Sequence, residues 1–260
     1  MRRKKVYEST VQSVERTLDI IEALSANRTG IGVTELSKAL NLHKSTVHRL
    51  LTTLMVRKYV EQDSESGKYR LSVKLFELGN AVLSKLNMRS HALPFLRELR
   101  ERCRETVQLS IVDQNEVLYI DVLESPEKIG VKAQIGERAP LYCTAPGKAW
   151  LAGLPDERLY EVMRGIEFKP RTAVTLANFD ELKEQMVGIK ATGVSRDIGE
   201  YSNDLRGVGA AIKNYRGRVI ACISIAVPAS RFNEASFQDL AKAIKETADK
   251  ISYSVGYTDK

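Results

Sequence analysis

Lys44, Ser45, Thr46, His48, Arg49 and Thr52 place two cations, three hydroxyls and an imidazole within nine residues, with no carboxylate among them. Hydroxyls and a guanidinium can read base edges, a lysine can neutralise a phosphate, and nothing in the set repels a polyanion. Tyr69 flanked by Lys68 and Arg70 adds two more cations a short distance on. The chemistry on offer is recognition of double-stranded DNA.

Two short helices must position the first group. In VTELSKALNLHKSTVHRLLTTL, residues 33 to 54, Val33, Leu36 and Leu40 recur at helical spacing. Val47, Leu50, Leu51 and Leu54 form a second stripe at i, i+3, i+4 and i+7, and Leu42 sits in the turn between them. Ser45, Arg49 and Thr52 fall on the face opposite that stripe, flanked by Thr46, His48 and Thr53. This is the layout of a helix-turn-helix with the second helix as reader. A helical hairpin with a polar outer face that binds no DNA is the alternative reading of the same residues.

The flanking segments decide between them. Tyr59 and Val60, then Tyr69 and Leu71, predict two strands around Ser64-Glu-Ser-Gly67, a wing that carries Lys68 and Arg70 towards a phosphate. Upstream, Ser9 and Gln12 suggest a capping box, followed by the stripe Val11, Val14, Leu18, Ile21 and Leu24. Residues 1–71 therefore read as a winged helix-turn-helix. The Met1–Lys5 run is a basic arm or simply a solvated terminus.

Charge agrees with this division. The 260 residues carry a formal +7; residues 1–84 hold 14 Lys and Arg against 9 Asp and Glu, the remainder 26 against 24. The basic excess lies with the reading helix. Hydrophobic content of 43% suffices for packed cores. No apolar run reaches a membrane span and no secretory signal pattern stands at the start, so the expected location is the cytoplasm, with no membrane partner. Cys103, Cys143 and Cys222 are widely spaced and read as buried thiols. His43, His48 and His91 make no metal set, and no cofactor is expected.

Residues 72–91 read as a linker helix whose apolar positions, Val73, Leu75, Phe76, Leu78, Val82 and Leu86, exceed what the wing domain can cover. A second copy would cover them, giving a homodimer on a palindromic operator; an ordinary interdomain helix is the alternative. Residues 92–260 mix α and β. Helices are expected at 93–104 (Pro94 in the first turn), from Thr144 or Ala145 to Gly153, from Pro155, at 179–192 and at 234–255. Strands are expected at 107–113, 117–124, 129–134 and 219–227, the last after a break at Gly217-Arg218. The class is α+β, an antiparallel sheet with helices packed on it.

Taken in order, STVHRLLTTL, YRLSVKLFELG, YIDVLESPEKI, TAPGKAWLAGLP, GVSRDIGE and VIACISIAVPASRF resemble the IclR family of bacterial transcription regulators over nearly the full chain. The resemblance implies a winged helix, a linker helix and a GAF-like effector-binding domain. It also implies dimers that pair into tetramers in many members, and control of catabolic operons by a small organic acid. Carried over residue by residue, it puts ligand-holding backbone groups at Thr144, Ala145 and Pro146, where the start of a helix would offer N–H groups to a carboxylate. The family's acidic ligand residue falls on Asp197, a family Cys on Gly207, and two family Ser positions on Ser224 and Ala226. The loss of a thiol and a hydroxyl implies a roomier, less polar cavity than that of relatives with the smallest 2-oxo acids. A sugar acid or 2-keto-3-deoxy acid fits those points, with aromatic acids as the rival class. Asp197 as a turn-capping carboxylate, Ser224 as a locally satisfied hydroxyl, and Arg196 and Arg206 as solvated cations remain open.

Enzyme signatures fail. There is no G-x-S-x-G, no H-E-x-x-H and no defensible Cys-His-Asp set. Gly147-Lys148 lacks the rest of a phosphate loop, with Tyr at 142 and Ala at 149, and Gly207-Val-Gly209 lacks the third glycine of a dinucleotide fingerprint. A structural DNA-bending protein would leave the larger C-terminal region without a purpose.

Overall fold

The computed structural model describes residues 10–27, 29–85 and 88–258, without the side chains of residues 80–85. It divides into two compact units, residues 1–85 and 86–260. Met1–Lys5 and Ser9, half of the expected capping box, lie outside the described residues.

In the first unit, α1 (Gln12–Ser25), α2 (Val33–Ala39) and α3 (Lys44–Val56) precede a hairpin of β1 (Val60–Gln62) and β2 (Tyr69–Leu71). Leu36, Val47, Leu51 and Leu54 are buried together with Ile20, Leu24, Val60 and Tyr69, and Leu42 packs against them from the turn. Asn41 takes the left-handed conformation that the turn needs, φ 51°, which asparagine tolerates better than most residues. Ser37 Oγ donates to Leu42 O (2.6 Å), fastening the turn to α2. In the wing, Asp63 Oδ1 accepts from Ser66 N–H and Oγ–H, and Gly67 supplies a positive φ. Ile31 pairs with Tyr69 in an isolated antiparallel bridge beside the hairpin.

The stripe expected on α1 is corrected. Ile20 and Leu24 are buried, Ile21 is half-buried, and Val11, Val14 and Leu18 are exposed. The helix carries two apolar faces, and its own unit covers only one. α4 (Val73–Lys85) follows, with Val73 72% and Phe76 70% exposed. Val82, by its side chain, and Leu86 lie outside the described residues.

The second unit opens with α5 (Met88–Cys103), five residues earlier than expected, so Pro94 stands inside the helix rather than in its first turn. Six antiparallel strands follow: β3 (Thr106–Asp113), β4 (Glu116–Leu123), β5 (Arg138–Pro140), β6 (Val194–Asp197), β7 (Leu205–Lys213) and β8 (Val219–Pro228). Their order in the sheet is β5-β4-β3-β8-β7-β6. Gln114 and Asn115, both at positive φ, make the two-residue turn between β3 and β4.

No strand forms at 129–134, despite the alternation there. Its carbonyls are held by side chains instead: Val131 O by Thr106 Oγ1 (2.7 Å) and Ile129 O by Arg231 Nη1 (2.6 Å). The edge position goes to β5, where Pro140, with no N–H to donate, is tolerated. α6 (Ala145–Ala152), α7 (Asp156–Met163), α8 (Phe179–Thr192) and α9 (Glu234–Ser254) complete the unit. Val208, Ala210 and Ile212 of β7 and Ile223 and Ile225 of β8 fill one side of the sheet. α6 lies on the other, so close that a Cβ on Gly209 would stand 2.7 Å from the Ala145 carbonyl.

Candidate functional site

α3 turns Val47, Leu51 and Leu54 inward and leaves Lys44, Ser45, His48, Arg49 and Thr52 exposed, with Thr46 half-buried. Its first turn contains no acid, and its N-cap, His43, makes no side-chain bond to it. The positive end of the helix is thus open to an anion. Thr52 Oγ1 donates to His48 O (2.9 Å) and Thr53 Oγ1 to Arg49 O (3.0 Å). Their protons are engaged within the helix, so outward they present lone pairs and methyl groups. On the wing Lys68 is half-buried and Arg70 is exposed, its Nε 2.7 Å from Glu61 Oε1. An exposed pair of this kind is worth at most about 1 kcal/mol and exchanges readily for a phosphate.

In the second unit, Thr144, Ala145, Pro146, Asp197, Gly207, Ser224 and Ala226 all line one cavity. Strand register explains the last four, and the packing of α6 on β7 brings the first three. Asp197 faces Gly207 across β6 and β7, Gly207 faces Ala226 across β7 and β8, and Ser224 stands one row along on the same side. Sequence reasoning missed Gln108, Tyr119, Lys132, Glu137 and Tyr201, which share the lining. Gln108 and Tyr119 carried a usable signal, since each lies inside an expected strand beside buried apolar residues.

Three expectations about this cavity are corrected or sharpened. At the start of α6, Pro146 has no N–H and Gly147 N–H donates to the N-cap Thr144 Oγ1 (3.3 Å), so of the loop residues 144–146 it is Thr144 and Ala145 that have an N–H to offer. Gly207 does not enlarge the space, because a Cβ there would meet Ala145 Cβ at 3.2 Å and Asp197 Cβ at 3.4 Å. The cavity is small, about 60 Å³. Ser224 Oγ donates to Gln108 Oε1 (2.9 Å) and is satisfied locally.

Asp197 caps a turn and lines the cavity at once. Its Oδ1 accepts from the N–H groups of Gly199 (3.0 Å), Glu200 (2.7 Å) and Tyr201 (3.4 Å). Burial lifts its carboxyl from the ordinary 3.8 to about 6, against the pull of those N–H bonds and of Lys148. Behind it, Lys148 Nζ donates to Glu200 Oε1 and to Gln185 Oε1 (2.7 Å). Desolvation lowers the Lys148 pKa, with Glu200 opposing the shift.

Arg196 and Arg206 stand outside the cavity. Arg196 lies over the Phe237 ring, and Arg206 Nη1 donates to Asn203 O and Leu205 O. Cys143 and Cys222 are buried, whereas Cys103 is only half-buried. Among the described residues no group of three metal-ligating side chains occurs, and no helix is long and apolar enough to cross a membrane.

A winged helix-turn-helix joined to an α+β unit with a lined cavity defines the class of ligand-responsive DNA-binding regulators. Residues 13–64 match the IclR helix-turn-helix domain, and residues 80–253 match the bacterial transcriptional regulator IclR C-terminal domain. The chain belongs to the IclR family and is a transcriptional regulator, not an enzyme. It is 35% identical to the HTH-type transcriptional regulator KdgR of Escherichia coli K12, over 96% of this chain and 95% of that one. It is 32% identical to the DNA-binding transcriptional repressor YiaJ of the same organism, over 99% and 93%. The crystal structure of Thermotoga maritima IclR superposes with a TM-score of 0.83 at 29% identity, covering 94% of this chain and 99% of that one.

Proposed function

We propose that this protein is a cytoplasmic repressor of a catabolic operon, released from its operator by a hydroxylated organic acid such as a sugar acid or a 2-keto-3-deoxy acid. The observation that carries the DNA-binding half is the exposed, acid-free face of α3. In this reading Ser45, Thr46, His48, Arg49 and Thr52 address base edges, while Lys44, Lys68 and Arg70 hold phosphates. The repressor sign is supported by relatives such as YiaJ that are named repressors.

The organisation we propose is a winged helix at 1–71, a linker and dimerisation helix at 72–91, and an effector and oligomerisation region at 92–260. A homodimer, able to pair into a tetramer, would set two copies of α3 on a palindromic site. The exposed Val73 and Phe76 support the dimer, since apolar groups of that size are covered when a partner is available.

For the effector half, the support is convergence: seven residues from four separated segments, Asp197 and Ser224 among them, line one cavity together with Gln108 and two tyrosines. The cavity is too small for a six-carbon acid without displacement of its lining. Entry of such an acid would therefore work against the packing of Asp197, Tyr201 and α6, and this is the route by which occupancy would reach the rest of the chain. The test is fluorescence anisotropy of a labelled operator titrated with the protein, with and without 2-keto-3-deoxygluconate, D-gluconate and 4-hydroxybenzoate. Release by the hydroxylated acids alone supports the reading. Release only by the aromatic acid replaces the effector class, and no specific DNA binding under any condition removes the proposal.

A further inference from the structure

Asp197 is bonded through one oxygen only. Its Oδ1 takes the N–H groups of Gly199, Glu200 and Tyr201, whereas Oδ2 takes no hydrogen bond among the described residues. The residue is 2% exposed and lines the cavity, so Oδ2 is the oxygen left for a ligand. Ala145 stands beside it: the position of a Cβ on Gly207 lies 3.2 Å from Ala145 Cβ and 3.4 Å from Asp197 Cβ. A ligand carboxylate held by the N–H groups of Thr144 and Ala145 is thereby placed next to a carboxylate of the protein.

The surrounding charges do not relieve that pairing. Lys148 of α6 stands behind Asp197, but its Nζ is committed to Glu200 Oε1 (2.5 Å) and to Gln185 Oε1 (2.7 Å). Fully ionised, the buried set of Lys148, Glu200 and Asp197 carries two negative charges against one positive. Tyr119 of β4, Tyr201, and Lys132 and Glu137 ahead of β5 share the cavity lining; these last two are exposed, opposite in sign and screened by solvent. Cys143, before α6, is buried and uncharged, its thiol pushed up to about 12 by desolvation. Arg171 lies over the Tyr201 ring, and Arg206 Nη1 donates to Asn203 O and Leu205 O. Among the described residues no cation is hydrogen-bonded to Asp197. Two carboxylates brought together away from water do not both stay ionised; they hold one proton between them.

We infer that the effector acid is bound with a proton: Asp197 carries it on Oδ2 and donates it to the ligand's carboxylate, so that binding takes one proton up from solvent. Asp197 then serves as a donor towards the acid rather than as an acceptor, and the same acid concentration releases more operator as pH falls. Burial already lifts the Asp197 carboxyl to about 6, so above that pH most of the free protein must gain the proton on binding. One linked proton makes the affinity for an acid fall by about tenfold per pH unit above 6 and level off below it. The inference rests on the cavity being the effector site for an organic acid, but it does not depend on the sugar-acid class.

The experiment uses the full chain and calorimetric titration with D-gluconate, 2-keto-3-deoxygluconate, pyruvate and 4-hydroxybenzoate from pH 5.5 to 8, in buffers of different ionisation heat. Whichever acids bind the wild type should take up about one proton at pH 7.5 and bind about tenfold more weakly at pH 8 than at pH 7. Asp197→Asn keeps an oxygen for the three N–H groups and sets an uncharged NH₂ donor in place of Oδ2. It should bind the same acids with no proton uptake and a flat pH profile, and at pH 8 at least about tenfold more tightly than wild type. A pH dependence that persists in Asp197→Asn would assign the proton to another group, such as the Lys148–Glu200 pair, and overturn the inference. Wild-type affinity that is constant from pH 6 to 8, with binding lost in Asp197→Asn, would also overturn it, making Asp197 an ionised acceptor and leaving the effector cavity standing. Binding without proton uptake that is untouched by both Asp197→Asn and Asp197→Ala would remove the cavity as the effector site. No binding of any of the four acids to the wild type would remove both.

Discussion

Lys148 Nζ lies 2.5 Å from Glu200 Oε1 with the two side chains 0% and 2% exposed, tying α6 to the turn that follows β6. The pair stands directly behind the cavity: Pro146 and Gly147 precede the lysine, and Glu200 N–H donates to Asp197. Gln185 of α8 donates to the same carboxylate oxygen, while Glu200 Oε2 is buried with no partner among the described residues. A buried charge pair is a poor source of net stability but a strong constraint, because neither partner tolerates the loss of the other.

Removing one member should therefore be costly and removing both should not. Lys148→Ala is expected to lower unfolding free energy by about 3–5 kcal/mol, and the double change Lys148→Met with Glu200→Leu to recover most of it. Urea denaturation of wild type, Lys148→Ala and the double mutant tests this. A double mutant as unstable as the single would show that the pair contributes by more than mutual neutralisation.

Asp197 should give a distinct pH signature. Its folded pKa of about 6 exceeds the ordinary 3.8, so between those values the folded state binds more protons than the unfolded state. Wild type should accordingly lose stability relative to Asp197→Asn as pH rises from about 4 through 6, by up to about 3 kcal/mol, with no further divergence above 7. The asparagine keeps an oxygen for the N–H groups of 199–201. Melting temperatures of both proteins across pH 4–7.5 test this, and parallel curves would count against a buried, uncompensated carboxylate.

Arg49 projects from α3 opposite the packed stripe and serves no core. Arg49→Ala should cost about 1–3 kcal/mol of specific operator affinity while leaving binding to a scrambled duplex nearly unchanged. Lys44→Ala should weaken both duplexes alike and flatten the salt dependence. Anisotropy titrations at matched salt separate the two outcomes, and an Arg49→Ala protein with wild-type operator affinity would remove the base-reading role.

Phe76 is exposed on α4, so a charge there should leave the fold intact, within about 0.5 kcal/mol. Under the proposed dimer, Phe76→Glu should shift the protein towards monomer by light scattering and weaken operator binding in proportion. An unchanged mass would place the dimer contact elsewhere, with the exposed Val11, Val14 and Leu18 of α1 the next face to test.

What the sequence determined by itself is what local spacing can encode. The inward faces of α2 and α3 follow from a 3.6-residue period, the wing from its turn residues, and the β3–β4 hairpin from alternation around Asp113–Glu116. The family's motifs placed seven positions that the register of β6, β7 and β8, with α6 packed on that sheet, then brought to one cavity. Tertiary structure decided the rest, because the deciding partners are distant in sequence. Period alone cannot choose between the two apolar faces of α1; packing against α3 and β2 buries Ile20 and Leu24. Alternation at 129–134 imitates a strand, but Thr106 and Arg231 take its carbonyls and the sheet edge goes to Arg138–Pro140. The absence of a side chain at Gly207 suggests space, yet Ala145 fills it from 62 residues away in the chain. Lys148 and Glu200, 52 residues apart, carry no mutual signal in the sequence, since only the closure of α6 onto β6 takes water from both and leaves each as the other's counter-charge.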